Sequence, residues 1–139
     1  MIRRPPRSTH CISSAASDVY KRQTFNDIPK IARNEALFTD TVYAQSILEH
    51  EDSDNFNFAI VNFPKSARTK FHIHSGDQIL IITEGEGMVC NEEVELSVQK
   101  GDMVLINAGE NHWHGAKENT TMSHITITVS GSTTEVTED

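Results

Sequence analysis

Three histidines and a glutamine in the second half of the chain have the residue types and spacing of metal ligands. His72 and His74 lie two apart, Gln78 follows after a Ser-Gly-Asp turn, and His112 opens a later β-forming segment. Side chains two apart in a β-strand share a face, so the first two imidazoles can point at one position. Such a pair is by itself more often exposed or hydrogen bonded in a core. A third imidazole and an amide oxygen favour one bound divalent metal ion.

The four candidate ligands carry no charge. Three imidazoles and an amide would leave the +2 charge of a metal ion uncompensated, whereas a carboxylate in place of Gln78 would reduce it to +1. The set therefore predicts a strongly electrophilic metal that favours an anionic further ligand and is bound less tightly than beside a carboxylate. Nitrogen and carbonyl ligands suit manganese, iron, nickel, cobalt or zinc.

Short β-forming segments surround the candidate ligands. They lie at 41–48, 58–63, 67–74, 78–83, 88–90, 94–98, 103–106, 112–116 and 122–129. Gly85 and Gly87 are expected to interrupt the run after 83, and residues 91–93 to form the turn of a hairpin. No segment has convincing helical periodicity, so the pattern predicts an all-β sandwich or barrel.

Composition bounds the organisation and the partners. The 139 residues suffice for one domain, expected at 24–129 with a motif-bearing core at 58–129. Residues 130–139 are rich in Ser, Thr and Glu and are expected to form a flexible acidic tail. The net charge of −8 argues against nucleic-acid binding, and no apolar run approaches the roughly 18 residues of a membrane span. We therefore expect a small-molecule partner, with neither nucleic acid nor membrane.

The first 23 residues differ from the rest of the chain. They carry five of the 12 basic residues, and at face value they could be a basic transit peptide. MIRRPPRST at 1–9, SSAAS at 13–17 and DVYKRQ at 18–23 instead resemble one reading frame of a sequencing adapter. We therefore expect residues 1–23 to be a disordered, adapter-derived segment from a metagenomic or shotgun assembly. The remainder carries seven basic and 19 acidic residues, a net charge of −12. It retains Cys90 as its single cysteine, which fits a cytoplasmic protein.

The spacing of the candidate ligands resembles the two motifs of the cupin superfamily. The first motif, H-x-H-x3-Q-x6-G, starts at His72 and carries Gln78 where glutamate is usual. The second, G-x5-N-x-G-x2-H, starts at Gly101 and ends at His112, with Asn107 where proline is usual. The resemblance implies a single-domain jelly-roll barrel, also called a double-stranded β-helix. It also implies that His72, His74, Gln78 and His112 are the metal ligands.

A closer resemblance runs from about residue 36 to residue 127. ART at 67–69, HWHGA at 112–116 and TMSH at 121–124 are similar to small bacterial cupins that include manganese-dependent hydroxynitrile lyases. This resemblance implies manganese as the metal, a homodimer or homotetramer, and active-site positions for His114 and His124. Alternation agrees, since it puts His114 on one face with His112 and His124 on a polar face with Thr126. Purely structural hydrogen bonding is the alternative role of His114 and His124.

The resemblance suggests a lyase mechanism with the two further histidines as acid and base. The metal would bind the oxygen of an α-hydroxynitrile, and His114 or His124, titrating near neutrality, would move the proton as cyanide leaves. Lys70 replaces the small residue usual in that group, and it would either bind an acidic substrate or extend into solvent. A metal-dependent oxygenase, which requires iron and oxygen uptake, and a non-catalytic cupin that binds a small molecule are the alternative functions.

Overall fold

Antiparallel β-strands account for nearly all the regular structure in this computed structural model, which describes residues 22–48 and 51–139. A 3-10 helix at Phe25–Asp27 precedes the strands. The strands are β1 (Ile31–Arg33), β2 (Val42–Leu48), β3 (Phe56–Phe63), β4 (His72–His74), β5 (Gln78–Asn91), β6 (Glu95–Gln99), β7 (Met103–Ile106), β8 (His112–Ala116), β9 (Met122–Val129) and β10 (Thr134–Val136). The prediction of an all-β fold is confirmed.

The long strand β5 joins two sheets into a curled barrel. Its first half pairs with β9 on one side and β7 on the other, and β9 continues through β3 and β2 to β1. Its second half pairs with β6 and β8, and the pairing continues through β4 to β10. The predicted hairpin is present, since Cys90 pairs with Glu95 across the turn. The two sheets enclose one interior, into which every second side chain of each strand points.

Gly85 and Gly87 lie within β5 and do not interrupt it, contrary to expectation. The pairing of β5 with β9 changes register between Ile82 and Glu84, and Gly85 has a φ of 74°. A Cβ at Gly85 would lie 1.9 Å from the carbonyl oxygen of Thr121, and one at Gly87 2.2 Å from that of Gly115. The glycines therefore bend the strand and admit close backbone contacts where β5 passes from one sheet to the other.

The predicted strand at 67–74 is shorter than expected. Only His72–His74 forms β4, while Arg68 and Thr69 make isolated bridges to Gly115 and Phe38. The Arg68 bridge holds the segment that precedes His72 against the end of β8.

An apolar cluster fills much of the barrel interior. Its members come from both sheets and are Val42, Phe63, Ala67, Leu80, Ile82, Val89, Val98, Ile106, Ala116 and Met122. Other interior positions are polar, and they include the buried side chains of His72, His112 and His124. Burying imidazoles without paired charges requires hydrogen bonds or a metal, so this polar part of the interior is the candidate site.

The structure describes the C-terminal end of the chain but not its first 21 residues. Residues 130–139 are not a free tail, because Thr134–Val136 pairs with β4 and Glu138 contacts Arg68. The predicted adapter-derived segment covers residues 1–23. Its residues 1–21 lie outside the part of the chain that the structure describes. Within the described ranges, no helix is long and apolar enough to cross a membrane.

Candidate metal centre

Neighbouring strands bring three histidines together. His72 and His74 lie on β4, and His112 pairs directly with His72 across the β4–β8 ladder. All three side chains are buried, and their ligand nitrogens lie within 4.8 Å of one another. Three imidazoles at this separation could hold a metal ion.

Hydrogen bonds fix the tautomers of two of these imidazoles. Nδ1 of His72 lies 2.7 Å from the carbonyl oxygen of Lys70, and Nδ1 of His112 lies 2.9 Å from that of Glu110. A carbonyl oxygen only accepts, so each Nδ1 carries the hydrogen and donates it. Each neutral ring therefore keeps a lone pair on Nε2, which is the arrangement of metal-binding histidines.

The third imidazole has an unpaired ring nitrogen. Nδ1 of His74 lies 2.9 Å from the hydroxyl oxygen of Thr134, while its Nε2 is buried without a hydrogen-bond partner among the described residues. Leaving a buried polar atom unpaired costs about 1–3 kcal/mol. His74 belongs to the three-histidine cluster, so a metal ion bound there through Nε2 would satisfy this atom.

Gln78 turns its carbonyl oxygen towards the same cluster. Its amide nitrogen donates to the Thr126 hydroxyl at 2.8 Å, and its Oε1 lies 3.2 Å from Nε2 of His112. Both facing atoms are acceptors once His112 carries its hydrogen on Nδ1. Two acceptors repel at this distance unless a cation lies near both, so the arrangement fits a metal ion.

Burial keeps the candidate ligands neutral. It lowers the pKa of His72 to about 3 and also lowers the pKa values of His74 and His112. Metal binding requires unprotonated imidazole, so the apolar surroundings favour the form that binds metal at neutral pH.

A second histidine pair adjoins the three candidate ligands. Nε2 of His124 lies 3.0 Å from Nδ1 of His114, and both rings are buried. Burial lowers the pKa of His124 to about 4 and holds that of His114 well below its ordinary value. Both are therefore neutral at pH 7, which corrects the expectation that they titrate near neutrality.

The hydrogen-bonding pattern favours one direction for the bond between these two rings. Nδ1 of His124 is buried with no partner among the described residues. An unpaired acceptor is tolerated better than an unpaired N–H, so the hydrogen of His124 belongs on Nε2, which donates to His114. His114 then carries its own hydrogen on Nε2.

A cavity of about 180 Å³ borders His72, His74 and the pair formed by His114 and His124. Its lining residues fall into a polar group and an apolar group, called here the polar wall and the apolar wall. The polar wall contains Thr69, His72, His74, Gln78, His114, His124, Thr126 and Thr128, and the apolar wall contains Leu37, Phe38, Val61 and Phe63. A cavity of roughly 150 Å³ accepts benzene, so this one has room for a small molecule of similar or slightly larger size.

The structure also settles the position of Lys70. Its carbonyl oxygen accepts the hydrogen bond from His72, but Lys70 is absent from the described residues that line the cavity. The pKa of the Glu138 carboxyl is lowered mainly by the hydrogen bond from the Phe71 amide and by Arg68, with a smaller contribution from the charge of Lys70. A role for Lys70 in binding an acidic substrate is therefore not supported.

Sequence reasoning missed the apolar wall and Thr134. Val61 and Phe63 alternate on the inward face of β3, so strand periodicity could have identified them. Phe38 lies outside the strands and reaches the cavity by packing on Phe63, with ring centroids 6.4 Å apart. Thr134 lies in a segment rich in β-branched residues that was expected to be a tail.

Comparison with known proteins agrees with this geometry. A sequence profile described as the Cupin domain matches residues 59–137. An (R)-mandelonitrile lyase from Granulicella tundricola is 37% identical over 91 residues, which are 65% of this chain and 70% of that protein.

Solved structures share the fold. A cupin-like protein from Thermotoga maritima has a TM-score of 0.73 at 30% identity, covering 78% of this chain and 84% of that chain. The polyketide cyclase RemF from Streptomyces resistomycificus has a TM-score of 0.74 at 16% identity, covering 84% of each chain, a likeness of fold alone. The profile match extends over more than half of the chain and includes the three clustered histidines, so the protein belongs to the cupin family.

Proposed function

We propose that this protein is a metal-dependent lyase that cleaves small α-hydroxynitriles and uses manganese. The observation that carries the proposal is one cavity bordered by convergent, neutral ligand side chains and by a buried histidine pair. The relative named (R)-mandelonitrile lyase, at 37% identity, supports the choice of reaction.

The metal would be held by His72, His74, His112 and Gln78. Such an ion supplies Lewis-acid polarisation of a substrate oxygen when it is bound. The hydrogen bond from Gln78 to Thr126 keeps the amide oxygen directed at the ligand cluster. Because all four ligands are neutral, the ion would retain its full charge for the substrate.

The histidine pair would handle the proton. His124 accepts the hydroxyl proton of the substrate on Nδ1, the ring nitrogen left unprotonated by its hydrogen bond to His114, the carbon–carbon bond to the nitrile breaks, and its electron pair leaves on cyanide. The products are a carbonyl compound and, after the proton is returned to cyanide, hydrogen cyanide. Burial makes both imidazoles weak bases, so a proton taken up there is readily released to the departing cyanide.

The apolar wall would hold the organic group of the substrate. Phe63 packs against both catalytic candidates, with ring centroids 5.9 Å from His114 and 5.3 Å from His124. An aryl group placed on Phe38 and Phe63 would exclude water from the reacting carbon.

Metal-dependent cleavage of mandelonitrile tests the proposal. Protein stripped with a chelator is reloaded separately with manganese, iron(II), nickel, cobalt or zinc, and benzaldehyde, cyanide and dissolved oxygen are followed. We expect equal release of benzaldehyde and cyanide without oxygen uptake, with the highest rate for manganese and a large loss in His114→Ala. No turnover above the metal-free protein would overturn the lyase proposal. Oxygen uptake would favour the oxygenase, and substrate binding without turnover the binding cupin.

Metal content of untreated protein tests the choice of manganese. The protein is purified without a metal-affinity column, and each metal is measured per chain by elemental analysis. Manganese near one ion per chain supports the proposal, whereas predominant iron or zinc would contradict it.

We also propose that the protein forms a homodimer or homotetramer through the outer face of the sheet containing β7, β5, β9 and β3. Exposed apolar side chains form neighbouring rows there, because Ile79 pairs with Leu105, Ile81 with Met103, and Phe56 with Val129. Met103 is 73% exposed and Leu105 is 59% exposed. A contiguous apolar surface of this kind is characteristic of subunit interfaces.

Light scattering coupled to size-exclusion chromatography tests this assembly. We expect an oligomer for the natural sequence and a monomer after Met103→Lys together with Leu105→Lys. Glu92→Lys together with Glu93→Lys alters an exposed acidic turn and should leave the mass unchanged. A monomeric natural protein would contradict the proposal.

A further inference from the structure

We propose that Thr134, on the C-terminal strand β10, is a positioning residue for the candidate ligand His74, so that docking of β10 and metal binding support each other. This inference rests on the metal site of the proposed function. It assigns a role in that site to a segment that lies outside the two metal-binding motifs in sequence.

The three histidines are held in different ways. His72 and His112 each donate to the carbonyl oxygen of the residue two positions earlier in the chain. These contacts are local and form whenever the strand forms. Nδ1 of His74 instead lies 2.9 Å from the Thr134 hydroxyl oxygen, 60 residues away in sequence. The orientation of His74 therefore depends on a tertiary contact.

The Thr134 hydroxyl is compatible with either neutral tautomer of His74, whereas the carbonyl partners of His72 and His112 allow only one. A carbonyl forces the hydrogen onto Nδ1, whereas a hydroxyl can either accept from Nδ1–H or donate to an unprotonated Nδ1. A metal on Nε2 requires the first arrangement, in which Nδ1–H donates to Thr134. His74 belongs to the three-histidine cluster, and its buried Nε2 has no partner among the described residues, so Thr134 on Nδ1 leaves Nε2 available to a metal.

Backbone pairing holds Thr134 in place. β10 runs antiparallel to β4 over the whole of that strand, with Thr134 opposite His74 and Val136 opposite His72. The amide of Ser75 donates to the carbonyl of Thr133 at 3.0 Å, and the amide of Thr137 donates to that of Phe71 at 2.9 Å. Among the described strands, β10 is therefore at the edge of the sheet, paired directly with the strand that carries two candidate ligands.

Side chains at the end of the segment reach the other ligand strand. The Glu138 carboxylate accepts hydrogen bonds from the Phe71 amide and the Arg68 guanidinium, both at 2.8 Å. The same guanidinium lies 4.5 Å from the ring centroid of Trp113, which stands between His112 and His114 in sequence. The segment thus contacts Phe71, next to His72, directly, and reaches Trp113, next to His112, through Arg68.

Coupling between the docked strand and the metal follows by linkage. If β10 orients His74 for a metal, the metal must stabilise the docked position of β10 by the same free energy. Loss of a hydrogen-bond partner of a ligand histidine typically weakens metal binding about 10- to 100-fold.

Three variants at neighbouring positions test the role of the hydroxyl group. Thr134→Val removes it at nearly constant volume, Thr134→Ser retains it, and Thr133→Val makes the same chemical change one residue away. Manganese dissociation constants are measured by competition with a fluorescent chelator, after circular dichroism has established that each variant is folded. We expect affinity to fall about 10- to 100-fold for Thr134→Val and to stay near that of the natural protein for Thr134→Ser and Thr133→Val.

Two readouts separate positioning from general stability. The visible spectrum of the cobalt-loaded protein should change in Thr134→Val and return in Thr134→Ser. Hydrogen exchange of the amides at 133–138 should slow on manganese addition in the natural protein and respond less in Thr134→Val. Unchanged affinity in Thr134→Val, or equal losses in Thr134→Val and Thr134→Ser, would overturn the inference.

These measurements need no substrate. If the natural protein binds manganese but cleaves no hydroxynitrile, the lyase proposal fails while the Thr134 variants still decide this inference. If the natural protein binds none of the five metals tested, the inference fails together with the metal site.

Discussion

Oε1 of Gln78 faces Nε2 of His112 at 3.2 Å, and neither atom carries a hydrogen in the arrangement that their other contacts impose. The Gln78 amide donates to Thr126 and His112 donates from Nδ1 to the Glu110 carbonyl, which turns two acceptors towards each other. A cation removes the repulsion between them, and the charge at position 78 then determines how strongly that cation is held.

Gln78→Glu should bind metal more tightly and react more slowly. The added carboxylate compensates one charge of the ion, so we expect the manganese dissociation constant to fall at least about tenfold, or about 1.4 kcal/mol. The same compensation weakens polarisation of the substrate, so turnover with mandelonitrile should fall. Calorimetric titration and steady-state kinetics on the same preparations measure the two effects.

Gln99→Glu is the matched control, because it adds the same charge at an exposed position near the end of β6. Neither affinity nor turnover should change in this variant. Equal or weaker metal binding in Gln78→Glu would count against Gln78 as a ligand.

His124→Ala should separate proton handling from metal binding. His124 contacts His114 but lies outside the three-ligand cluster, so the manganese dissociation constant should stay within about twofold. Turnover should fall about 100-fold, since an acid–base group is lost and His114 loses its partner. Ser123→Ala, on the opposite face of β9, is the control. A purely structural role for His124 predicts normal turnover per folded, metal-loaded molecule.

Acid should destabilise the metal-free protein well before its carboxylates titrate. The folded pKa of His124 is about 4, because burial disfavours the imidazolium, while the unfolded chain takes up this proton near pH 6.5. The unfolded state therefore binds more protons between these values, and stability is lost as the pH falls through this range. The difference corresponds to roughly 3 kcal/mol for this one group.

Urea denaturation in the presence of chelator, repeated between pH 7 and pH 4, measures this dependence. In His124→Ala, the slope of the unfolding free energy against pH should decrease by the equivalent of up to one bound proton. Identical slopes in the two proteins would show that the His124 proton makes no contribution.

Gly115→Ala should destabilise the barrel beside the candidate site. A Cβ there would lie 2.3 Å from Cα of Arg68 and 2.6 Å from the carbonyl oxygen of Ala67, and backbone atoms have little room to move. We expect a loss of about 2 kcal/mol or more, as for overpacked cores.

Gly101→Ala is a useful contrast, because its Cβ would meet nothing within 4 Å although φ is 97°. Its cost is backbone strain alone, about 1–2 kcal/mol. Thermal unfolding of both variants measures the difference, and equal losses would contradict the steric explanation.

Strand periodicity made much of the candidate site predictable. His72 and His74 lie on one face of β4 because two-residue alternation is a local property of an extended chain. His112 could be added because its motif spacing resembles that of a known family, and the all-β fold followed from short β-forming segments. The same alternation correctly placed His124 and Thr126 on the interior side of β9, next to the cavity.

Other features depend on contacts between distant segments. Gly85 and Gly87 resemble strand breaks in isolation, and only their close approach to Thr121 and Gly115 explains why β5 continues through them. Thr134 resembles part of a polar tail until β10 docks on β4. Neither outcome could be derived from local patterns, because each depends on backbone atoms that lie far away in sequence.

The sequence by itself determined which side chains can bind a metal and which of them share a strand face, since residue chemistry and strand alternation are local. The tertiary structure decided the tautomers and pKa values of the histidines, the apolar wall formed by Phe38 and Phe63, and the contact of Thr134 with His74. Hydrogen-bond partners and burial control these properties, and both are set only when the two sheets close around one interior.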